Sequence, residues 1–257
     1  MPSFITYLAK RIAYPFLYRP REVSVQLRIL QAAWRTSPPP SDASFDVFTY
    51  HGEDGLLFYL VTFLQGIPFT FVDIGAGDCV KSNCAMFAAH LGWSGTFIDA
   101  NRRNIAIGRA FYTSYPTTHF APPRFVCASV NKKNINSFFD GDSYGILSID
   151  IDGDDYAIWE ALTARPWIVI IEARVEHGNQ DIVDAEGASV PALCALAARK
   201  GYVLAAWNLH GYNLIFVRSD LVNDRVFARV YPAPSPSPGA ARPSEPGAAR
   251  PLGPAAP

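Results

Sequence analysis

Four cysteines are all this chain has: Cys79, Cys84, Cys127 and Cys194, with no CxxC pair and no histidine at zinc-ligand spacing. That excludes a disulfide framework or a zinc site and reads as reduced, intracellular thiols. No run of about 18 apolar residues occurs, so no transmembrane helix is expected. Charge of one sign is missing too. The 257 residues carry a formal net charge of −1 and no basic stripe, so no nucleic-acid partner is expected. Acids are absent from the first 21 residues, MPSFITYLAKRIAYPFLYRPR, which are apolar and basic. Lys10 and Arg11 interrupt the apolar region and no small-residue cleavage site follows, so a signal peptide fits badly. The expectation is a helix packed on the domain of a cytoplasmic protein; weak association with a membrane surface and organelle targeting are the alternatives.

Nearly half the residues are apolar, 49% by count, enough for one sizeable core. Two composition breaks bound it. TSPPPSDAS, residues 36–44, reads as a linker after an N-terminal segment, residues 1–35. Beyond Tyr231 the chain becomes PAPSPSPGAARPSEPGAARPLGPAAP, with PGAARP at 238–243 and again at 246–251. Its side chains are too small to build a core, so residues 232–257 are expected to be a solvated tail. The folded domain is then 45–231.

Within it, strands and helices alternate. A helix is expected over 53–64, then the strand TFVDI, a turn, and a helix from Ser82 through Leu91. The strand GTFIDA, a helix over 102–113 and the strand RFVCASV follow. GILSIDID is the next strand, then a helix DDYAIWEALTA stopped by Pro166, then WIVIIEA. A helix over about 188–200 leads to YVLAAWN and NLIFVRS, close enough to form a hairpin. Continuous apolar runs such as WIVII suit strands covered on both faces. The expected fold class is α/β: a doubly wound, Rossmann-like sheet of seven mostly parallel strands with an antiparallel terminal strand.

Ligands of such sheets sit at the carboxyl ends of the strands, near the switch in strand order. FVDIGAGDCVKSN, residues 71–83, occupies that place. Gly75 and Gly77 let the backbone approach a ligand closely. Asp99 ends the second strand, 26 residues beyond Asp73, where an acid can accept both hydroxyls of a ribose. A dinucleotide turn wants GxGxxG, but Val80 stands where the third glycine would be. Asp78 beside the turn repels a pyrophosphate and suits a ligand carrying an ammonium and a sulfonium, as S-adenosylmethionine does.

The pattern DIGAG with SN at 82–83, then GWSGTFID, SIDIDGDDYAIWEAL, IVIIE and ASVPALCALAARKGYVLAAWNLHGYNLIFV resembles the FkbM-type, class I SAM-dependent methyltransferases. The likeness runs from about Tyr50 to Val217. It implies methylation of a hydroxyl on a sugar, glycan or other small molecule. It also implies that Asp73, Gly75 and Gly77 wrap the methionine end, that Asp99 holds the ribose, and that Ser129 and Asn131 meet the adenine. Asp78 and Asn83 complete the expected cofactor set. Cys79 stands where the family often has glycine; it could be a reactive thiol, but a buried inert residue is expected.

SIDIDGDDY adds Asp150, Asp152, Asp154 and Asp155, and the fifth strand brings Glu172 to the same edge. If the fourth strand runs through them, Asp150 and Asp152 share a face. Crowded carboxylates call for a proton or a cation. One of them, Asp152 first and Glu172 next, could be a general base; alternatively Asp150, Asp152 and Glu172 could hold Mg²⁺. Asp150 could instead touch the methionine amino group. Asp154 or Asp155 is expected to cap the following helix, and Ser82 its own. His177 is the favoured histidine base, ahead of His210 and His51, and Tyr212 is a candidate for stacking on an acceptor. The competing functions are a nucleotide-cofactor oxidoreductase using NAD and a non-catalytic module retaining the fold.

Overall fold

The computed structural model describes residues 20–36, 42–208 and 210–227. The first 19 residues, most of the expected linker and the proline-rich tail lie outside them. Helix α1, Pro20–Thr36, buries Leu27 and Trp34, one side seven residues apart on the helix. Trp34 meets Phe58 at 5.6 Å and Tyr59 at 5.5 Å between ring centroids, on helix α2, Glu53–Phe63.

Alternation then runs as expected: β1 (Thr70–Ile74), α3 (Ala85–Leu91), β2 (Ser94–Asp99), α4 (Arg102–Thr113), β3 (Arg124–Cys127), β4 (Ile146–Ile149), α5 (Asp155–Ala161), β5 (Ile168–Glu172), α6 (Val190–Lys200), β6 (Tyr202–Trp207) and β7 (Asn213–Arg218). The seven strands pair in the order β3-β2-β1-β4-β5-β7-β6. Every pairing among the first five is parallel, while β7 is antiparallel to both β5 and β6. The terminal strand is thus antiparallel, as its sequence suggests, and it inserts between β5 and β6. The chain leaves β1 toward β2 and β3 on one side and toward β4 and β5 on the other, so the order switches between β1 and β4.

The apolar runs split by parity between two buried layers. Phe71, Ile168, Ile170, Ile215 and Val217 pack under α1 to α4. Val72, Ile74, Val169, Ile171, Leu214 and Phe216 pack under α5 and α6. Adjacent strand residues point to opposite faces, so a sheet covered on both sides needs both parities apolar. Trp93 and Trp159 belong to these layers as core residues. Among the described residues, no helix is long and apolar enough to cross a membrane.

Three boundaries differ from expectation. Helix α3 begins at Ala85, because residues 78–84 are held in turns by carboxylates. Asp78 Oδ1 accepts from the Val80 and Lys81 N–H groups, and Asp73 Oδ2 from Cys84 N–H. Ser82 therefore does not cap that helix. Strand β3 ends at Cys127, so Ser129 lies in a loop. Strand β4 ends at Ile149, leaving Asp150 and Asp152 on a loop where strand parity no longer applies. Asp152 there has a left-handed φ of 59°.

The switch point is set by one glycine. A Cβ on Gly75, at φ +75°, would stand 1.7 Å from the Asp150 carbonyl oxygen, whereas one on Gly77, at φ +55°, meets nothing within 4 Å. Gly75→Ala is therefore expected to cost roughly 3 kcal/mol or more, while Gly77→Ala costs about 1 kcal/mol of backbone strain. Denaturant midpoints of the two variants measure this; equal losses would contradict it.

Candidate functional site

The carboxyl ends of β1, β2, β4 and β5 carry the expected site residues to one edge of the sheet. Over β1 and β2 the parts are a glycine turn and an acid. Asp99 Oδ2 accepts from Gly77 N–H at 3.0 Å, and its Oδ1 accepts from Asn101 N–H at 2.7 Å and from the Asn104 amide at 3.2 Å. The acid is locked against the turn, and the open space in front of Gly77 is a cradle that a side chain would fill. Asn83 donates to the Ser148 hydroxyl at 3.1 Å from a buried position, fixing the turn to β4. Ser129 is exposed beyond β3, and Asn131 accepts from Lys133 N–H, shaping the loop at the far side of the cradle.

Two expected cofactor residues are buried and bonded to backbone N–H groups. Asp78 is buried and engages its own turn. Asp73 is buried too, and burial pushes its carboxyl up to about 6 against the pull of its Cys84 N–H bond. Cys79 adopts φ 62°, a conformation that favours glycine, and is fully buried. Burial and the Asp73, Asp78 and Asp99 charges push its thiol far up, so it is an inert packing residue. The Tyr112 hydroxyl donates to its carbonyl at 2.9 Å and steadies the loop.

Over β4 and β5 the acids converge, and a cation stands among them. Arg174 Nη2 lies 3.8 Å from Glu172 Oε2 and 3.9 Å from Asp152 Oδ1. Its Nε donates to the Glu186 carbonyl, in a short ribbon pairing Val183–Asp184 with Gly187–Ala188. The Glu172 side chain is 12% exposed, against 81% for Asp152. Asp155 accepts from the Ile151 and Gly153 N–H groups, tying down the loop that carries Asp150 and Asp152. Asp154 occupies the cap position of α5 without a side-chain cap bond.

Asp150 is the most perturbed of these acids. Enclosure by protein, then the charges of Glu172, Asp155, Asp152 and Asp73, push its carboxyl up to about 8. Its residue surface is nonetheless open to solvent. Water at the exposed part of the residue moderates the shift without reversing its direction.

His177 meets the ribbon that follows it. Its Nε2 lies 3.3 Å from Asp184 Oδ2 on the ribbon. His51 and His210 meet edge to face at 4.9 Å, with Tyr212 5.9 Å from His210. Glu53, buried at the start of α2, holds that hairpin: its Oε1 accepts from the Asn208 and Asn213 amides at 2.8 and 3.0 Å. Since Asn213 pairs with Glu172, the hairpin that carries His210 and Tyr212 reaches this edge beside β5.

Sequence reasoning missed Arg174. It is two residues past Glu172 in EAR, so a chain that stays extended returns it to the same side; that spacing was the available signal. Among the described residues, no group of three or more His, Cys, Asp or Glu is placed to hold a metal ion. The cation beside Glu172 and Asp152 is a guanidinium, and their geometry gives Mg²⁺ no support.

No family model matches the chain, and no curated protein matches it. Solved structures do overlap it. A SAM-dependent methyltransferase from Methanosarcina mazei is 14% identical, over 62% of this chain and 96% of that one, with a TM-score of 0.42. The bifunctional kinase-methyltransferase WbdD is 14% identical, over 64% of this chain and 39% of its own, with a TM-score of 0.44. NcsB1, an O-methyltransferase from neocarzinostatin biosynthesis in complex with S-adenosylmethionine, is 18% identical, over 64% of this chain and 55% of its own, with a TM-score of 0.39. Likeness this loose carries no argument about activity, which rests on the residues themselves.

A raised carboxylate makes stability pH-dependent. Asp150 titrates near 8 when folded and near 3.8 otherwise, so between those values the folded protein keeps a proton that the unfolded chain releases. Stability should fall as pH rises from 4 toward 8, with Asp54 and Asp73, raised to about 6, contributing only the lower part. Asp150→Asn should flatten the decline between pH 6 and 8 and leave the lower part in place. Melting temperatures across that range test this; parallel wild-type and variant profiles would contradict it.

Proposed function

We propose that the protein transfers a methyl group from S-adenosylmethionine to an oxygen, on a sugar or other polyhydroxylated small molecule. One observation carries this: the glycine turn is ringed by acids in excess of the one arginine beside them, and Asp150, raised first by its enclosure in protein and then by those charges, is held up to about 8. A cation relieves that crowding, and a pyrophosphate worsens it. The site therefore favours a ligand bearing a sulfonium and an ammonium over NAD.

Gly77 admits the nucleoside to the cradle, and Asp99, pinned by three donors, keeps acceptor capacity for the ribose hydroxyls. Ser129 and Asn131 border the adenine end. Asp150 faces the cationic end. When bound, S-adenosylmethionine supplies an electrophilic methyl group and leaves as a neutral thioether. The protein's part is to hold the acceptor oxygen in line and take its proton. Glu172, largely shielded and 3.8 Å from Arg174, is the base offered for that proton; exposed Asp152 accepts a neighbouring hydroxyl. Tyr212 offers the acceptor a stacking face. A non-catalytic module is the weaker alternative, since it has no use for Glu172 and Arg174 aimed at the same edge.

Asn tolerates a left-handed φ, so Gly77→Asn should fold and fill the cradle. By calorimetry, wild type should bind S-adenosylmethionine and S-adenosylhomocysteine, and Gly77→Asn should lose at least a hundredfold of both. Binding of NAD alone, or undiminished binding by the variant, would overturn the assignment. Affinity for S-adenosylmethionine should rise between pH 6 and 7.5, about tenfold per unit, as Asp150 is freed of its proton. Asp150→Asn should abolish that dependence and the proton release seen in buffers of different ionisation enthalpy; persistence of either in the variant would contradict the role given to Asp150.

A further inference from the structure

We propose that the edge where the parallel strands begin, opposite the candidate site, is a docking face for anionic lipid membrane surfaces. The inference is independent of the methyltransferase assignment.

Apolar side chains are left uncovered there. Phe69 stands just before β1 and is 66% exposed; Phe120 precedes β3 and is 97% exposed. On α1, Val25 and Ile29 are four residues apart, so they share a face, and both are exposed while Leu27 and Trp34 face the core. Ser24 of α1 lies 3.1 Å from His90 near the end of α3, which places this helix at the same edge.

Cations border these side chains. A cavity of about 1260 Å³ opens at this edge, lined by Arg28 and Arg35 of α1, by Phe69 and Trp93, and by Arg225 after β7. Two acids also line it, Asp220 and Asp224. The Asp220 charge is taken by Arg218 in a close ion pair, so the arginines prevail. Arg124, exposed at the start of β3, is paired with exposed Asp140 at 3.5 Å and adds no net charge to the edge. Arg28 and Arg35, seven residues apart, flank the Val25–Ile29 face on its groove side. One exposed acid, Glu22, shares the Val25–Ile29 face; apolar groups with arginines along their groove side match the acyl boundary and phosphate layer of an anionic bilayer.

The chain before α1 extends the pattern in composition. MPSFITYLAKRIAYPFLYR holds Phe4, Ile5, Leu8, Ile12, Phe16 and Leu17 with Lys10, Arg11 and Arg19 and no acid, and it joins the domain at Pro20, on this face. Docking here leaves the cleft at the opposite edge open to water-soluble ligands.

Co-sedimentation of the full chain with phosphatidylcholine vesicles, with and without phosphatidylglycerol, tests the face. Binding should require phosphatidylglycerol and weaken as salt rises. Arg28→Glu with Arg35→Glu should reduce partitioning about tenfold or more. Val25→Ser with Ile29→Ser should reduce it too, with melting temperature held in both variants. Three results would overturn the proposal: equal binding to neutral vesicles, no binding to anionic ones, or partitioning unmoved by both variants. So would a concentration-dependent dimer that Val25→Ser with Ile29→Ser dissolves, because it would assign the face to a second copy of the chain.

Discussion

Two backbones meet at the switch point, and the cleft depends on how closely they meet. The turn after β1 runs so near the Asp150 carbonyl that no side chain fits at Gly75. That contact brings the loop after β4 beside the glycine cradle and sets the acids of one half against the ligand space of the other. Asp99 completes the frame by holding Gly77 from the β2 side. Backbone approach, rather than any one side chain, makes a single site from four strand ends.

Electrostatics follows from that geometry. Asp73, Asp150, Asp152, Asp155 and Glu172 belong to three strand ends that parallel pairing makes neighbours. Their charges would be independent on separate loops; gathered here, they add to the effect of burial in raising Asp150. Some of the stress is relieved within the fold, by backbone N–H groups at Asp73 and Asp155 and by Arg174 at Glu172 and Asp152. What is left over falls beside the cradle. The stability that the fold forgoes there becomes available to a cationic ligand, the usual trade at a binding site.

The sheet was legible in the sequence because its signals are local and repeated. WIVII reads as a strand buried on both faces, and Ile168 to Ile171 divide between the two layers as that requires. DIGAG read as a close-approach turn, and both glycines have left-handed φ values. The loops were less legible, because tertiary contacts shape them. Ser82 looks like a helix cap, yet Asp73 takes the Cys84 N–H and delays the helix. SIDID looks like a continuous strand, yet the chain turns at Asp150 to meet Gly75. His177 follows β5 closely, but the ribbon only seven residues on folds back to supply Asp184 as its neighbour. Arg174 could be suspected only by asking what neutralises Glu172.

The central claim is that one cleft holds a nucleoside over Gly77 and Asp99 and its cationic end over Asp150. A crystal structure with S-adenosylhomocysteine bound tests it most directly. The account predicts the ribose hydroxyls within hydrogen-bonding distance of the Asp99 carboxylate, the amino group facing Asp150, and the sulfur turned toward Glu172. Density for the ligand in the arginine-lined cavity at the opposite edge, or a ribose held away from Asp99, would contradict it.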